Sequence, residues 1–191
     1  MNEIIHMQSL FTPFPILETE RLILRRIKVS DTEDMYEYAK LDSVTKFLLW
    51  SSHPSSYLTR RYIKSIQKLY KKGNMSDWAI EYKENGKMIG TCGFAELDEQ
   101  NFSGEVGYVL NESYWGKGIA AEALRSVIDF GFKVLELRRI EARYIIGNDR
   151  SSRVMEKCGM SFEGIHRSAL YVKDRFVDIA VYSVLRSEYC E

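Results

Sequence analysis

The chain has little of the chemistry that builds disulfide frameworks or metal centres. Its 191 residues include only three cysteines and three histidines. The cysteine count is odd and no C-x-x-C pair occurs, which favours reduced thiols over a disulfide framework. The histidines are scattered, and no H-E-x-x-H or Cys/His cluster is present. We therefore expect no metal cofactor.

The chain also lacks an excess of charge and a long apolar run. Lys+Arg and Asp+Glu both total 27, so the formal net charge is zero and gives no electrostatic reason for direct nucleic-acid binding. The apolar runs fall short of the roughly 20 residues that cross a bilayer. The N-terminal stretch has no basic region followed by a cleavage site. We expect a cytoplasmic protein without a membrane partner.

What is present is typical of an ordinary globular protein. Hydrophobic residues make up 45% and charged residues 28% of the chain. The length suits one domain. Two of the three prolines, Pro13 and Pro15, lie near the start. We therefore divide the chain into an N-terminal arm, residues 1–16, and one domain, residues 17–191.

The first part of the domain predicts one strand and two helices. Arg21–Ile27 alternates and is β-branched enough for a strand. Ser30 with Glu33 three residues later has the pattern of a capping box, which predicts a helix start at Ser30. Tyr57–Lys72 carries apolar residues at helical spacing.

The middle of the chain predicts an antiparallel meander. Three short segments, Trp78–Tyr82, Met88–Leu97 and Gly104–Leu110, are typical of strands. An Asn85-Gly86 pair between the first two favours a tight hairpin turn. Short links between successive strands indicate antiparallel pairing.

The remainder returns to mixed helix and strand. It predicts a long helix, a strand, a short helix and two final strands, at Ile119–Leu135, Arg139–Ile146, Asp149–Lys157, Phe162–Leu170 and Asp178–Leu185. The fold class is therefore α+β, with helices and mainly antiparallel strands in one domain.

Two glycines stand at the start of the long helix, in the stretch "YWGKGIAAEAL" from Tyr114 to Leu124. A helix N-terminus presents free backbone N–H groups and a partial positive charge, which together bind phosphates. Gly116 and Gly118 would let the main chain approach such a ligand, with Lys117 as added charge. A plain turn that reverses the chain explains the glycines equally well.

The same loop also fits a dinucleotide-binding fingerprint, which we reject. Gly116, Gly118 and Ala121 match G-x-G-x-x-A, and Glu141 lies twenty residues on. That fingerprint opens a parallel doubly wound sheet after its first strand. Here hairpins precede the loop, and too little chain follows it for a nucleotide-binding fold.

Asn148 lies between a predicted strand and a predicted helix, in "NDRSSRVMEKCGM". Its short amide can cap the helix. It can also pair with an amide group of a ligand. The sequence leaves both interpretations open.

Four stretches in order, "TERLILR", "GEVGYVL", "YWGKGIAAEAL" and "NDRSSRVMEKCGM", resemble the GNAT acyl-CoA N-acetyltransferases. The resemblance is to the RimJ/RimL-type branch, the ribosomal-protein N-terminal acetyltransferases. It implies a mostly antiparallel twisted sheet of about seven strands and about four helices. The fourth strand, Gly104–Leu110, would splay from the fifth, Arg139–Ile146, and open a V-shaped cleft.

The resemblance also implies acetyl-CoA as cosubstrate, held mainly by main-chain groups. The pantetheine arm would pair with the backbone of Val109 and Leu110, and Asn148 and Ser151 would lie near the thioester. The diphosphate-binding loop would comprise Trp115, Gly116, Lys117, Gly118, Ile119 and Ala120. Trp115 departs from the family's polar first residue, as is usual in this branch.

The family's reaction is direct attack of a neutral amine on the thioester. Glu105 is our candidate base, with Glu122 and Glu141 as weaker alternatives. Many relatives use a tyrosine as the general acid at the position where this chain has Met155. Ser151 is therefore our candidate for donating a proton to the departing thiolate. A backbone N–H near Leu110 would polarise the carbonyl.

The sequence gives the least information about the amine that accepts the acetyl group. We expect a protein N-terminal α-amine, as in ribosomal-protein acetylation; alternatives are a polyamine or antibiotic amine, or an acetyl-CoA sensor without turnover. The candidates for lining the acceptor site are Trp50, His53, Tyr57 and Tyr171. The sequence is compatible with a monomer or a homodimer.

Overall fold

One sheet of eight strands organises the chain. The computed structural model describes residues 7–73 and 76–189. The strand order is β1-β2-β3-β4-β5-β6-β8-β7, and only the β5–β6 pair is parallel among these neighbours. The strands are β1 Leu17–Glu18, β2 Leu22–Arg25, β3 Asp77–Tyr82, β4 Lys87–Asp98, β5 Ser103–Leu110, β6 Arg139–Ile145, β7 Ser161–Val172 and β8 Arg175–Leu185.

The described residues also form six α-helices and three short 3-10 turns. The helices are α1 Thr32–Ala39, α2 Asp42–Thr45, α3 Ser56–Lys71, α4 Ile119–Lys133, α5 Asp149–Lys157 and α6 Arg186–Tyr189. The mixed class, the seven predicted strands and the four longer helices are confirmed. The sequence reading missed β1, α2 and α6, because elements of two or four residues leave no periodic pattern.

The predicted capping box does not start the first helix. A 3-10 turn, Val29–Asp31, precedes α1. The Asp31 carboxylate accepts the Lys28 N–H at 2.6 Å and a forked pair of hydrogen bonds from the buried Arg25 guanidinium at 2.8 and 2.9 Å. A buried ion pair therefore fixes this helix start, and Ser30 lies within the turn.

The two faces of the sheet carry different helices. Trp78, Cys92 and Tyr108 lie side by side on adjacent strands and share one face. Helix α4 covers that face, where Phe130 packs edge-on against Trp78 with ring centroids 5.5 Å apart. Because side chains alternate along a strand, the neighbouring row, which begins at Asp77, faces α1 and α3 instead.

Strands β5 and β6 separate part-way along their length. They pair in parallel only from Ser103–Arg139 to Val106–Ala142. Beyond that point β5 stays paired with β4 as far as Leu110, and β6 stays paired with β8 as far as Ile145. The predicted splay is confirmed, and the helices that follow these strands, α4 and α5, both begin at its open end.

The start of the described chain packs into the core. The Phe11 and Phe14 rings lie 5.7 and 5.1 Å from the Trp78 ring, and Met7 is buried. The boundary between arm and domain at residues 16 and 17 stays a prediction.

The described residues bear on three expectations, which concern disulfides, membrane spans and metal ligands. Cys92 and Cys158 are buried free thiols, and Cys190 lies outside those residues. Over 7–73 and 76–189, no helix combines the length and the apolar character of a membrane span. Within the same ranges, no three His, Cys, Asp or Glu side chains gather as ligands for a metal ion.

We predict that Gly93→Ala destabilises the fold by about 1–3 kcal/mol, the usual cost of overpacking. A Cβ at Gly93 would lie 2.3 Å from the Ser76 carbonyl oxygen and 2.5 Å from the Asp77 Cα, so the backbone must shift. Gly107→Ala is the control, because a Cβ there meets nothing within 4 Å. Urea unfolding should separate the two variants; equal midpoints would contradict the close approach of β3 and β4.

Candidate active site

A cavity of about 760 Å³ passes through the opening between β5 and β6. Tyr108, Asn148 and Ser151 line its wall on the α5 side. Trp50 and Asp77 line its other end, under the segment that connects α1 to α3. The cavity therefore joins the region expected for the cofactor to the region expected for the acceptor.

The two glycines of the loop before α4 adopt a backbone that other residues resist. Gly116 and Gly118 have φ of +76° and +77°, in the left-handed region. Gly118 is the N-cap of α4 and has no side chain to offer the first N–H groups of the helix. Those N–H groups are left for a ligand, so the arrangement favours an anion site over a plain turn.

The glycine loop is tied to the start of the chain. Arg21 Nη1 donates to the Lys117 carbonyl at 3.0 Å. Glu122 accepts hydrogen bonds from Thr19 Oγ1, the Arg21 N–H and Arg21 Nε at 2.6, 2.9 and 2.7 Å. Burial alone would raise the Glu122 pKa, but these contacts outweigh it and lower the pKa. Glu122 therefore holds the loop, and its bonds leave little basicity for catalysis.

Trp115 is also a positioning residue. Its indole N–H donates to the Leu110 carbonyl at 2.9 Å, and the Arg150 guanidinium lies 4.3 Å above the Trp115 rings. The bulky residue at this position thus closes the end of β5 and connects it to the start of α5. Arg150 was not singled out by sequence reasoning, although it follows Asn148 by two residues.

The main chain of β5 presents alternate groups to the opening. The Asn111 N–H donates to the Ile89 carbonyl at 2.8 Å, so the Leu110 carbonyl, in the same peptide unit, faces away from β4. By alternation, the N–H groups of Tyr108 and Leu110 face the opening, whereas the main-chain groups of Val109 face β4. Leu110 therefore suits the predicted backbone contact better than Val109.

Asn148 precedes α5 without acting as its cap. Its side chain makes no capping hydrogen bond, although its carbonyl accepts the Ser151 N–H at 2.9 Å. The side chain lines the cavity instead. Of the two interpretations that the sequence left open, the geometry favours contact with a ligand.

Ser151 is hydrogen-bonded to a residue that sequence reasoning missed. The Tyr108 hydroxyl lies 2.8 Å from Ser151 Oγ and 2.9 Å from the Ser151 carbonyl oxygen. Burial raises the Tyr108 pKa, so the phenol keeps its proton. Met155, at the position where the family resemblance implies a tyrosine, is buried. A hydroxyl pair from β5 and α5 thus lines the cavity near the position of that tyrosine.

Glu105 lies on the acceptor side of β5 and lines the cavity. Its Oε2 is 3.3 Å from Arg143 Nε. Burial raises the Glu105 pKa, and Arg143 opposes the rise. Glu141 is instead held by Arg143 at 2.6 Å and Arg139 at 3.0 Å, and these bonds overcome the effect of burial and lower its pKa. Of the two carboxylates, Glu105 retains more basicity and faces the cavity.

The acceptor end contains two of the four predicted aromatic or histidine residues. Trp50 and His53 line the cavity with ring centroids 5.2 Å apart. Burial lowers the His53 pKa, and its Nδ1 lies 2.8 Å from Thr59 Oγ1. Tyr57 and Tyr171 are 70% and 60% exposed and lie outside the lining of this cavity, so the structure does not bring them together with Trp50 and His53.

Asp77 is a cavity carboxylate that sequence reasoning missed. It is the first residue of β3, and burial raises its pKa to about 7, partly opposed by a hydrogen bond from the Trp78 N–H. The sequence feature that could have identified Asp77 is its position directly before the apolar residues that begin a strand.

Comparison with known proteins agrees with this geometry. The family model for the acetyltransferase (GNAT) domain matches residues 21–161, which is most of the chain. The chain is 35% identical over 173 residues to the uncharacterized N-acetyltransferase p20 of Bacillus licheniformis, covering 91% of this chain and 97% of p20.

Two further matches extend the comparison. The chain is 30% identical to a ribosomal-protein-serine acetyltransferase of Escherichia coli over 125 residues, covering 65% of this chain and 69% of that protein. A solved GNAT-family acetyltransferase from Bacillus anthracis superposes with a TM-score of 0.81 at 27% identity, covering 91% of this chain and all of that structure. With its parted β5 and β6, its glycine loop before α4 and these matches, the chain belongs to the GNAT family of N-acetyltransferases.

Proposed function

We propose that the protein transfers an acetyl group from acetyl-CoA to the α-amine of a polypeptide N-terminus. The observation that carries this proposal is the base: Glu105 is a cavity carboxylate whose pKa is raised by burial, with Arg143 at 3.3 Å opposing the rise. Even with a raised pKa, a carboxylate is a weak base beside an amine, and it suits an amine that is already partly neutral. The similarity to a protein named as a ribosomal-protein-serine acetyltransferase supports the same acceptor.

The pKa values of amines favour this acceptor over a lysine side chain. An α-amine has a pKa of about 7.7–8.0, so roughly a tenth of it is neutral at pH 7. A lysine amine, with a pKa of about 10.4, is neutral only to a few parts in ten thousand. Glu105, directly or through a water molecule, needs to remove only a weakly held proton from the α-amine.

The residues around the opening suit acetyl-CoA, which supplies the thioester that the amine attacks. The loop from Trp115 to Ala120 would hold the diphosphate with the unpaired N–H groups at the start of α4. The Leu110 N–H would pair with the pantetheine arm, and Asn148 would bond its amide. Gly116 and Gly118 allow the close approach because they carry no side chain.

Three groups of this chain would then serve the transfer. The Tyr108 N–H, which faces the opening near Leu110, would stabilise the negative charge that develops on the carbonyl oxygen. Glu105 would take the proton that the amine loses as its nitrogen bonds to the acetyl carbon. The hydroxyl pair of Tyr108 and Ser151 would donate a proton to the departing sulfur, whose thiol pKa of about 8.5 makes it an adequate leaving group.

Two alternatives have specific support. A small-molecule amine acceptor is favoured by Asp77, a carboxylate at the far end of the cavity. An acetyl-CoA sensor is favoured by Met155 at the tyrosine position. Release of free thiol from acetyl-CoA, followed with peptides, polyamines and aminoglycosides, separates them. Preferred turnover of peptides supports the proposal, whereas turnover of small amines alone, or binding without any turnover, contradicts it.

We predict that Asn148→Ala weakens acetyl-CoA binding by about 3- to 10-fold, the value of one hydrogen bond, with an unchanged melting temperature. The reason is that the Asn148 amide caps nothing in the protein. Ser55→Ala is the contrasting control, because the Ser55 hydroxyl does cap α3. It should lower stability by about 1 kcal/mol and leave the affinity unchanged. Calorimetric titration and thermal unfolding of both variants check this; a destabilised Asn148→Ala with normal affinity would reverse the assignment.

We predict that Glu105→Gln lowers kcat/KM by about 100-fold at pH 6–7, and by less as pH rises, because the amine then becomes neutral without help. Glu96→Gln is the matched control, since exposed Glu96 lies opposite Glu105 on β4. It should stay within about twofold of the parent protein. The measurement is kcat/KM against pH; an unchanged profile for Glu105→Gln would remove this residue from the mechanism.

A further inference from the structure

The acceptor face of the sheet carries a second carboxylate beyond Glu105. Asp77 on β3, Gly93 on β4 and Gly107 on β5 are direct neighbours in register, so they share one face. Asp77 Oδ1 lies 2.9 Å from the position that a Cβ on Gly93 would occupy. The carboxylate therefore leans over the glycine, towards β5.

Two glycines keep the floor between the carboxylates open. A side chain at Gly107 would meet nothing within 4 Å, so the space above it belongs to the cavity. Two strand spacings separate Asp77 from Gly107, about 10 Å at the main chain. Glu105 lies two residues before Gly107 on the same face of β5.

Asp77 has no cationic partner among residues 7–73 and 76–189. Its carboxylate accepts a hydrogen bond from the Trp78 N–H. The titratable groups coupled to it are Tyr38 on α1, Tyr62 and Tyr70 on α3, and Cys92 on β4. Burial raises the pKa of each of these groups, so all four are neutral at pH 7.

We propose that Asp77 determines acceptor specificity by binding a second positive charge on the acceptor, separate from the amine that is acetylated. This inference rests on the proposed acetyl transfer at Glu105. The second charge can come from a basic side chain next to a peptide N-terminus or from the distal nitrogen of a diamine. The shared chemistry is an extended acceptor whose second cation reaches across the floor formed by Gly93 and Gly107.

The surroundings of Asp77 suit a cation better than they suit an unpaired carboxylate. Asp77 is half-buried in the cavity wall, where a negative charge without a partner is costly, and a cation from the acceptor reduces that cost. The rings of Tyr38, Trp50 and Tyr62 also line this end of the cavity. Aromatic faces attract cations, which adds to the charge pairing.

The pKa of Asp77 gives the proposal a pH signature. At a pKa of about 7 the group is half protonated at neutral pH. A second cation binds the ionised form, so its binding should tighten as pH rises through 7. Acceptors that carry only the reacting amine should lack this dependence on Asp77.

The test compares acceptors that differ only in the second cation. Cadaverine and n-pentylamine form the small-molecule pair, and Ser-Lys and Ser-norleucine peptides form the peptide pair. Calorimetric titration into the CoA-bound protein needs no turnover. We expect the member with the second cation, in at least one pair, to bind about 10-fold tighter at pH 8, and the pair that responds identifies the source of the charge. Equal affinities within both pairs overturn the inference.

Asp77→Asn should abolish that preference and leave the affinity of the monocationic member unchanged. Asp174→Asn is the matched control, because Asp174 is exposed in the β7–β8 turn and Asn accepts its positive φ of 60°. It should keep the preference. An equal loss for both members of a pair would place Asp77 at the reacting amine and overturn the proposal.

Two further measurements distinguish a failure of the Asp77 proposal from a failure of the proposed acetyl transfer. Preferential binding without acetylation would retain the role of Asp77 while contradicting the proposed function. Asp77→Asn should also remain folded. In the parent protein, the native state holds a proton on Asp77 up to pH about 7, whereas the unfolded chain releases it near pH 3.8. The contribution of this proton to the free energy of unfolding is therefore lost as pH rises from about 4 to 7. The variant should lack this decline. If it retains the decline, Asp77 does not titrate as argued.

Discussion

The parting of β5 from β6 is the constraint on which the site depends. Ladder groups that lose a partner in a protein interior cost about 1–3 kcal/mol each, so two strands normally remain paired. Here each strand is held by its outer neighbour: β5 by β4 as far as Leu110, and β6 by β8 as far as Ile145. The Trp115 indole satisfies the Leu110 carbonyl at the end of the gap. The sheet can therefore stay open without collapsing, and in the proposed complex a ligand with amide groups would pair with its free main-chain groups.

Alternation along β5 distributes the chemistry between the two faces. Glu105 and Gly107 face the acceptor, whereas Tyr108 faces α5 and meets Ser151. In the proposed reaction the base and the proton donor thus lie on opposite sides of one strand.

The features of this molecule that could be predicted are those that local sequence patterns determine. Periodicity located the longer strands and helices, and the glycine loop was visible because left-handed backbone requires glycine. The predicted start of α1 was wrong because an ion pair between Arg25 and Asp31 decides it, and its burial depends on the packed fold rather than on a capping pattern. Tyr108 was missed because its partner Ser151 lies 43 residues away, a distance at which sequence spacing carries no information.

Asp77 shows that the pairing of charged groups is also difficult to predict from the sequence. A sequence can list carboxylates, but only the fold decides which of them keep a partner. Glu105 and Asp77 share one cavity, and Arg143 lies beside Glu105. Among residues 7–73 and 76–189, the groups coupled to Asp77 are neutral. In the proposed reaction, Arg143 tempers a carboxylate whose pKa burial raises, whereas a carboxylate among phenols and a thiol suits the second cation that we propose. The two roles therefore follow from surroundings that are set by β6 in one case and by α1, α3 and β4 in the other.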